Sequence, residues 1–180
     1  MFEQGKYPEA IQAYSEFVRY RPSHEEVPYA RFRIALSHYE QIPSEWLLAP
    51  PTYERDQRFT HDALKALQRF ILDFPEHPLL ERAQELMAEA VELLAKHELY
   101  VANFYLDRDA PKAAVFRLKT LLRSYAGSGH ESEALLLLGT TYQTLNSGDE
   151  ARAAYQELLE RFPDSEQAPY ARQQLSALGG

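Results

Sequence analysis

Alanine and large apolar residues recur along the chain at helical spacings. An alanine is followed by a large apolar residue at +4, another at +7, and a proline at +12. Three sets of residues meet this pattern: Ala10, Tyr14, Phe17, Pro22; Ala63, Leu67, Phe70, Pro75; and Ala151, Tyr155, Leu158, Pro163. Offsets of 4 and 7 lie on one face of a helix, and proline ends a helix because it lacks an amide proton. Each set therefore predicts an amphipathic helix with a defined end.

A second helix is predicted before each of these. Ala114 begins a further copy of the pattern, and Ala102 lies 114 − 102 = 12 residues before it. Gly139 likewise lies 151 − 139 = 12 residues before Ala151, and such small residues allow two helices to approach closely. Paired helices with a small residue, tyrosine, alanine, aromatic residue and proline at these positions are typical of tetratricopeptide repeats.

The repeat predicts the organisation of the whole chain. We expect an all-α, right-handed tetratricopeptide-repeat superhelix over residues 1–180. Two repeats are longer than the basic unit. The 14 extra residues between Pro75 and Ala102 predict four additional helical turns. The 16 extra residues between the paired helices of repeat 2 contain three prolines and predict a loop. The predicted parts are the second helix of repeat 1 at 8–21, repeat 2 at 25–74 with a loop at 42–57, repeat 3 at 79–125 with an extended first helix, repeat 4 at 130–162, and a terminal helix at 166–178.

Two shorter signals mark helix starts. The tetrapeptide PYAR occurs at 28–31 and again at 169–172. The spacing of the repeats predicts that both copies lie at equivalent positions of a first helix, three repeats apart. Ser128 and Glu131 have the spacing of a capping box, in which a serine at the N-cap and a glutamate three residues later satisfy free amide groups.

Composition excludes several classes of function. The net charge is −8 without a basic block, which disfavours nucleic-acid binding. The chain has no cysteine, so disulfides, zinc–thiolate sites and thiol catalysis are excluded. Glycine-rich phosphate loops, nucleophile elbows and H-E-x-x-H motifs are absent from the sequence, so we expect no enzyme, no cofactor and no metal. A helical solenoid typically binds peptides or other domains on its surface.

Two stretches carry a family resemblance. At AKHELYVANFYLDRDAPKAAVFRL (95–118) and ERDQRFTHDALKALQRFILDFPEHP (54–78) the chain resembles the BamD family of outer-membrane assembly lipoproteins. The resemblance implies a scaffold at the periplasmic face of the bacterial outer membrane, held there by an N-terminal lipid. Its implied partners are the periplasmic (POTRA) domains of a BamA-like insertase and unfolded outer-membrane protein segments, with other assembly lipoproteins as further candidates.

The chain departs from the family in one respect. The family's lipid is carried by a cysteine, which this sequence lacks. Because the repeat pattern begins in mid-repeat, we interpret the chain as N-terminally truncated, so that the lipid is absent from it. The alternative family is another periplasmic repeat adaptor, of the kind associated with the Tol-Pal envelope system.

A substrate groove is predicted on the first helix of repeat 2. In such repeats the ligand-facing side chains usually lie six and three residues before the small residue of the first helix and one residue after it. Around Ala35 these are Tyr29, Phe32 and Leu36, with Arg31 and Arg33 nearby. Aromatic and apolar side chains beside cations suit an extended segment that ends in an aromatic residue and a carboxylate. In the alternative, Tyr29 and Phe32 belong to the core.

Two further contact sites are predicted. Trp46, Leu47 and Tyr53 make the loop apolar, which favours either a partner contact or a local cover over the array. Arg117 stands where three other repeats have alanine, and we interpret it as an anchor for an acidic residue of the insertase, together with Asp107 and Arg108. The alternative for Arg117 is an internal ion pair with Asp107 or Asp109 on the long helix.

Overall fold

Helices account for all regular structure in the described part of the chain. The computed structural model describes residues 2–43 and 50–179. The predicted all-α fold is confirmed, while the right-handed winding stays a prediction. In these two ranges the eight α-helices are α1 (Tyr7–Tyr20), α2 (Val27–Tyr39), α3 (Arg58–Asp73), α4 (Leu80–Leu106), α5 (Pro111–Ser124), α6 (Glu131–Thr144), α7 (Gly148–Arg161) and α8 (Ala168–Leu178), with short 3₁₀ helices at Phe2–Gln4 and Thr52–Glu54.

The chain divides into two compact units. The first is Met1–Leu94 and the second is Ala95–Gly180. The long helix α4 has 27 residues and contributes to both. The assignment of residues 1–180 to a single array of repeats stays a prediction.

The core of the first unit forms where α2, α3 and the start of α4 meet. Ala35 and Ala63 are fully buried, and small side chains at these positions allow their helices to approach closely. The Phe32 and Phe70 rings meet edge to face, with centroids 5.5 Å apart. The buried cluster comprises Phe32, Ala35, Ala63, Leu67, Phe70, Ala83 and Leu86.

A buried glutamine holds the segment before α3. The Gln57 Nε2 amide donates to the carbonyl oxygens of Thr52 (2.7 Å) and Arg55 (2.9 Å). Its Oε1 accepts a hydrogen bond from the Thr60 hydroxyl at 3.0 Å. Asp56 Oδ1 accepts from the Arg58 amide at 2.9 Å. The R-D-Q tripeptide at 55–57 therefore has a structural role, since it ties the Thr52–Glu54 3₁₀ helix to the first turn of α3.

In the second unit, α6 and α7 lie close together at Gly139. A Cβ atom built on Gly139 would lie 2.7 Å from Cδ1 and Cζ of Tyr155, well inside van der Waals contact. Tyr155 is fully buried, and its hydroxyl donates to Gln143 Oε1 at 2.8 Å. Burial raises the pKa of Tyr155 to about 12. The hydrogen bond and the burial fix the position of the Tyr155 ring, and the space beside it at position 139 fits only a hydrogen atom.

The start of α6 differs from the predicted capping box. Glu131 is the first residue of the helix, and Ser128 lies outside it. The Glu131 carboxylate accepts hydrogen bonds from the Gly127 amide (2.5 Å) and the Ser128 hydroxyl (3.3 Å). Burial alone would raise the pKa of Glu131, but these donors outweigh it and hold the pKa below its usual value. Glu131 therefore fastens the preceding turn, in which Gly127 and Gly129 have positive φ.

Gly139→Ala should destabilise the protein. Alanine normally stabilises a helix interior by about 1 kcal/mol relative to glycine, but the clash with Tyr155 should outweigh that gain. We expect a net loss of about 1–3 kcal/mol in the free energy of unfolding, measured in urea. Gly148→Ala is the matched control, because a Cβ atom there meets nothing within 4 Å. Equal stability of the two variants would contradict the close approach.

Glu131→Gln should lower stability in a pH-dependent way. The folded-state pKa of Glu131 lies below the unfolded value of about 4.3, so its stabilisation is present above that pH and is lost as the pH falls through the folded-state pKa. We expect a deficit of about 1–2 kcal/mol at pH 7 that narrows below about pH 4. Urea unfolding across this range measures it, with the exposed Glu133→Gln as the control. A deficit that does not change with pH would contradict the assignment.

Candidate functional site

A groove lies between α1 and α2 of the first unit. Its cavity volume is about 380 Å³. Three aromatic side chains line it, and the small side chains of Ala13 and Ala30 leave the space that these rings border. The lining residues are Ala13, Tyr14, Phe17, His24, Glu26, Tyr29 and Ala30.

The structure divides the predicted groove residues between this groove and the core. Tyr29 is 41% exposed and lines the groove. Phe32 is only 5% exposed and packs on Phe70, so its placement in the groove was wrong. Leu36 is half-buried and packs against the same core. The reason is that α2 also packs against α3, and Phe32 and Leu36 belong to that packed face.

Two groove residues were already visible in the sequence but were assigned only to the repeat pattern. Tyr14 and Phe17 are the +4 and +7 residues of the first alanine set. Both are half-buried and line the groove together with Tyr29. The helical period indicated that they share a face. It could not indicate that part of this face remains open to a ligand.

Arg33 lies beside the groove between two aromatic rings. Its guanidinium carbon is 3.8 Å from the Phe2 ring centroid and 5.8 Å from that of Tyr29. Its Nη2 donates to Glu3 Oε1 at 3.2 Å. Burial alone would lower the pKa of Arg33, but the hydrogen bond with Glu3 and the proximity of Tyr14 and Tyr29 raise it. Arg33 therefore carries a full positive charge at the side of an aromatic groove.

Arg31 has a different environment. Its Nη1 is 3.7 Å from Asp73 Oδ2 on α3. The same carboxylate oxygen accepts a hydrogen bond from Arg69 Nε at 2.7 Å. Arg31 therefore takes part in an ion-pair network that joins α2 to α3.

In the second unit, Arg117 forms the internal ion pair that the sequence left open, but with a different carboxylate. Its Nη1 lies 3.5 Å from Glu98 Oε2, so the predicted partners Asp107 and Asp109 were wrong. The Glu98 side chain is 8% exposed and that of Arg117 is 33% exposed. Burial and the neighbouring Glu98 raise the pKa of Tyr125.

The turn that follows α4 carries the other two predicted insertase contacts. Arg108 lies with its guanidinium carbon 3.5 Å from the Phe104 ring centroid, and its Nη1 donates to the Phe104 carbonyl at 3.3 Å. Asp107 is exposed. Arg108 therefore presents a cation that is held against an aromatic ring at the end of the helix.

Only one of the three residues of the predicted loop contact lies in the described part of the chain. Trp46 and Leu47 fall outside the described residues. Tyr53 is half-buried in the Thr52–Glu54 3₁₀ helix, which Gln57 ties to α3. The loop contact stays a prediction.

A second cavity lies within the second unit and has a volume of about 340 Å³. Tyr170, one of its lining residues, is the tyrosine of the second PYAR copy, as Tyr29 is of the first. Both tyrosines are exposed. The lining residues are Asn103, Glu133, Leu136, Leu137, Thr140 and Tyr170.

Neither metal binding nor membrane crossing is indicated for residues 2–43 and 50–179. No cluster of histidine, aspartate and glutamate side chains in these ranges could hold a metal ion. None of their helices combines the length and the apolar character that crossing a bilayer requires.

Comparison with known proteins gives the family. The family model YfiO, described as an outer membrane lipoprotein, matches residues 1–158. This chain belongs to the YfiO family of outer membrane lipoproteins. The resemblance stated from the sequence is thereby confirmed, and membership associates the chain with the outer membrane. The expectation that it is not an enzyme is also confirmed by this membership.

Curated relatives share the name outer membrane protein assembly factor BamD. The relative from Xylella fastidiosa (strain 9a5c) is 27% identical over 167 residues, which cover 91% of this chain and 56% of the relative. The relative from Rickettsia prowazekii is 26% identical over 171 residues, covering 95% and 65%. The relative from Pasteurella multocida is 35% identical over 87 residues, covering 48% and 34%. The chain thus spans less than two thirds of the length of these relatives.

The Arg117–Glu98 pair should couple the two side chains energetically. Arg117→Ala leaves the nearly buried Glu98 carboxylate without its cation, which should cost about 1–3 kcal/mol. The same substitution in a Glu98→Gln background should cost less than about 1 kcal/mol, because no buried charge remains. Urea unfolding of the four proteins measures the coupling. Additive effects would show that the two groups do not interact.

Proposed function

We propose that this chain is a non-catalytic scaffold in outer-membrane protein assembly at the periplasmic face of the bacterial outer membrane. The groove between α1 and α2 binds unfolded outer-membrane protein segments. Arg117, Asp107 and Arg108 dock the POTRA domains of a BamA-like insertase. The family match and the shared name of the relatives support the proposal, and they favour it over the Tol-Pal-associated alternative.

The aromatic groove is the observation that carries the substrate half of the proposal. Segments of outer-membrane β-barrels alternate apolar and polar residues and have aromatic residues at the membrane interfaces. Tyr14, Phe17 and Tyr29 offer rings to such side chains in a cavity of about 380 Å³. Aromatic pairs add about 0.5–1.5 kcal/mol beyond the area they bury. Arg33 adds a charge beside the rings that can bind a carboxylate.

Arg117 supports the docking half of the proposal. A guanidinium has five N–H donors in a rigid fork, and Glu98 occupies only part of it. With a third of the side chain exposed, the remaining donors can bind a carboxylate of a partner domain. The Glu98 contact restricts the rotamers of Arg117 before the partner arrives, which lowers the entropic cost of binding.

A crossed binding experiment tests both halves. One ligand is a peptide from an outer-membrane β-barrel strand, and the other is the purified set of insertase POTRA domains. Tyr29→Ala should weaken peptide binding at least tenfold and leave domain binding unchanged. Arg117→Lys, which keeps the charge but loses the bidentate fork, should weaken domain binding about tenfold and leave peptide binding unchanged. Isothermal titration calorimetry measures both.

Matched controls separate these effects from general damage. Tyr20→Ala removes an exposed tyrosine from α1 that does not line the groove, and Arg123→Lys makes the same exchange in the last turn of α5. Both controls should bind both ligands like the parent chain. Normal binding of the peptide by Tyr29→Ala, or of the domains by Arg117→Lys, would exclude the corresponding half of the proposal.

A further inference from the structure

The cavity of the second unit has an apolar middle and a polar side chain towards each end. Glu133, Leu136, Leu137 and Thr140 line it from one face of α6, because offsets of 3, 4 and 7 share a helix face. Seven positions correspond to about 10 Å along the helix axis at a rise of 1.5 Å per residue. Glu133 therefore lies towards one end of the cavity and Thr140 towards the other, with the two leucines between them.

Hydrogen bonds between α6 and α8 hold the walls of this cavity in place. Tyr170 lines the cavity from α8. Ser132 Oγ donates to Gln167 Oε1 at 3.1 Å. Gln143 Nε2 donates to Gln174 Oε1 at 3.0 Å. Along α6 these two bonds flank the lining residues on either side, so the walls are preformed and a ligand meets a low cost of ordering them.

The polar side chains of α6 in this cavity are hydrogen-bond acceptors. An ionised carboxylate such as that of Glu133 can only accept. His130 Nδ1 lies 3.8 Å from Glu133 Oε2, and this imidazole is charged only when it is protonated. The Thr140 hydroxyl donates its hydrogen to the Leu137 carbonyl at 3.0 Å, so it too is left as an acceptor. A ligand must therefore bring donors, and the carboxylate favours a cationic one.

The remaining walls fit a cation on an aliphatic stem. The oxygens of Asn103 and Tyr170 can also accept hydrogen bonds, and the exposed Tyr170 ring offers its face to a cation. Lysine and arginine pack their methylene stems on apolar surface such as Leu136 and Leu137. At the other end, Thr140 can accept from a backbone N–H, which is free in an extended segment but is used internally in a helix.

We propose that this cavity binds a lysine or arginine side chain carried on an extended segment of a partner protein. The cationic head pairs with Glu133, the stem lies along Leu136 and Leu137, and Thr140 accepts a hydrogen bond from the backbone of the segment. The site shares no residue with the groove between α1 and α2 or with the Arg117–Glu98 pair, so it goes beyond the proposed function and does not depend on it.

The experiment titrates the chain with short peptides that have acetylated and amidated ends and differ at one central position. That position holds lysine, arginine, norleucine or glutamate. The lysine and arginine peptides should bind about three- to tenfold more tightly than the norleucine peptide, which keeps the stem and loses the charge. The glutamate peptide should not bind. Equal affinity of the lysine and norleucine peptides would overturn the inference.

The methyl resonances of Leu136 and Leu137 in ¹³C NMR show whether the peptide occupies this cavity. Both should shift with the lysine peptide, and titration of the shifts gives its affinity. Absence of any shift would overturn the inference.

Variants with nearly the same shape test the two ends of the ligand contact. Glu133→Gln should abolish the preference for lysine over norleucine, whereas Glu150→Gln, an exposed carboxylate in the first turn of α7, is the control and should keep it. Tyr170→Ala should weaken the lysine peptide at least threefold, and Tyr170→Phe, which keeps the ring, should leave it unchanged. An unchanged preference in Glu133→Gln would exclude this carboxylate as the cation site.

A small amine distinguishes a partner segment from a free ligand. Butylammonium presents the lysine head and stem without a backbone. The lysine peptide should bind more tightly than butylammonium, and Thr140→Val should remove that difference. Equal binding by the parent chain would assign the cavity to small amines and overturn the partner segment. Tyr29→Ala and Arg117→Lys should bind the lysine peptide like the parent, so failure here is distinguishable from failure of the proposed function.

Discussion

The close approach of paired helices at small residues is the constraint on which the rest of the structure depends. Ala35, Ala63 and Gly139 are buried, and at Gly139 even a methyl group meets the Tyr155 ring. The backbones therefore approach closely, and the larger side chains of each helix are confined to the sides of the contact. Some of these, such as Phe70, complete the core, and others, such as Tyr29, border a cavity.

The sequence predicted the helices better than their surroundings. Alanine sets and terminal prolines indicated the helices now seen at α1, α3 and α7, because both signals are local. The difference between Tyr29 and Phe32 is not local: both are aromatic residues on one helix, and only the position of Phe70 makes one of them core. Glu98 was missed as the partner of Arg117 because it lies 19 residues away. Such pairs depend on how two helices are set against each other, which the periodic pattern does not specify.

The two PYAR copies show how a short sequence determines a local environment. Each copy lies in the first turn of a helix, where proline is tolerated because its missing amide would be unpaired in any case. In each copy the alanine is buried and the tyrosine is exposed. Each tyrosine lines a cavity in its own unit. Both PYAR copies thus place an exposed tyrosine beside a cavity, and the residues around it make the two cavities chemically different.

The unequal exposure of the two arginine-bound carboxylates has a consequence for the response to electrolytes. Counter-ions reach Glu3, whose side chain is almost entirely in solvent, and should screen its attraction to Arg33 at a Debye length of about 8–10 Å in ordinary buffers. Glu98 is nearly enclosed, so its attraction to Arg117 is screened much less. The same chain therefore carries one arginine whose internal contact weakens as ionic strength rises and one whose contact persists.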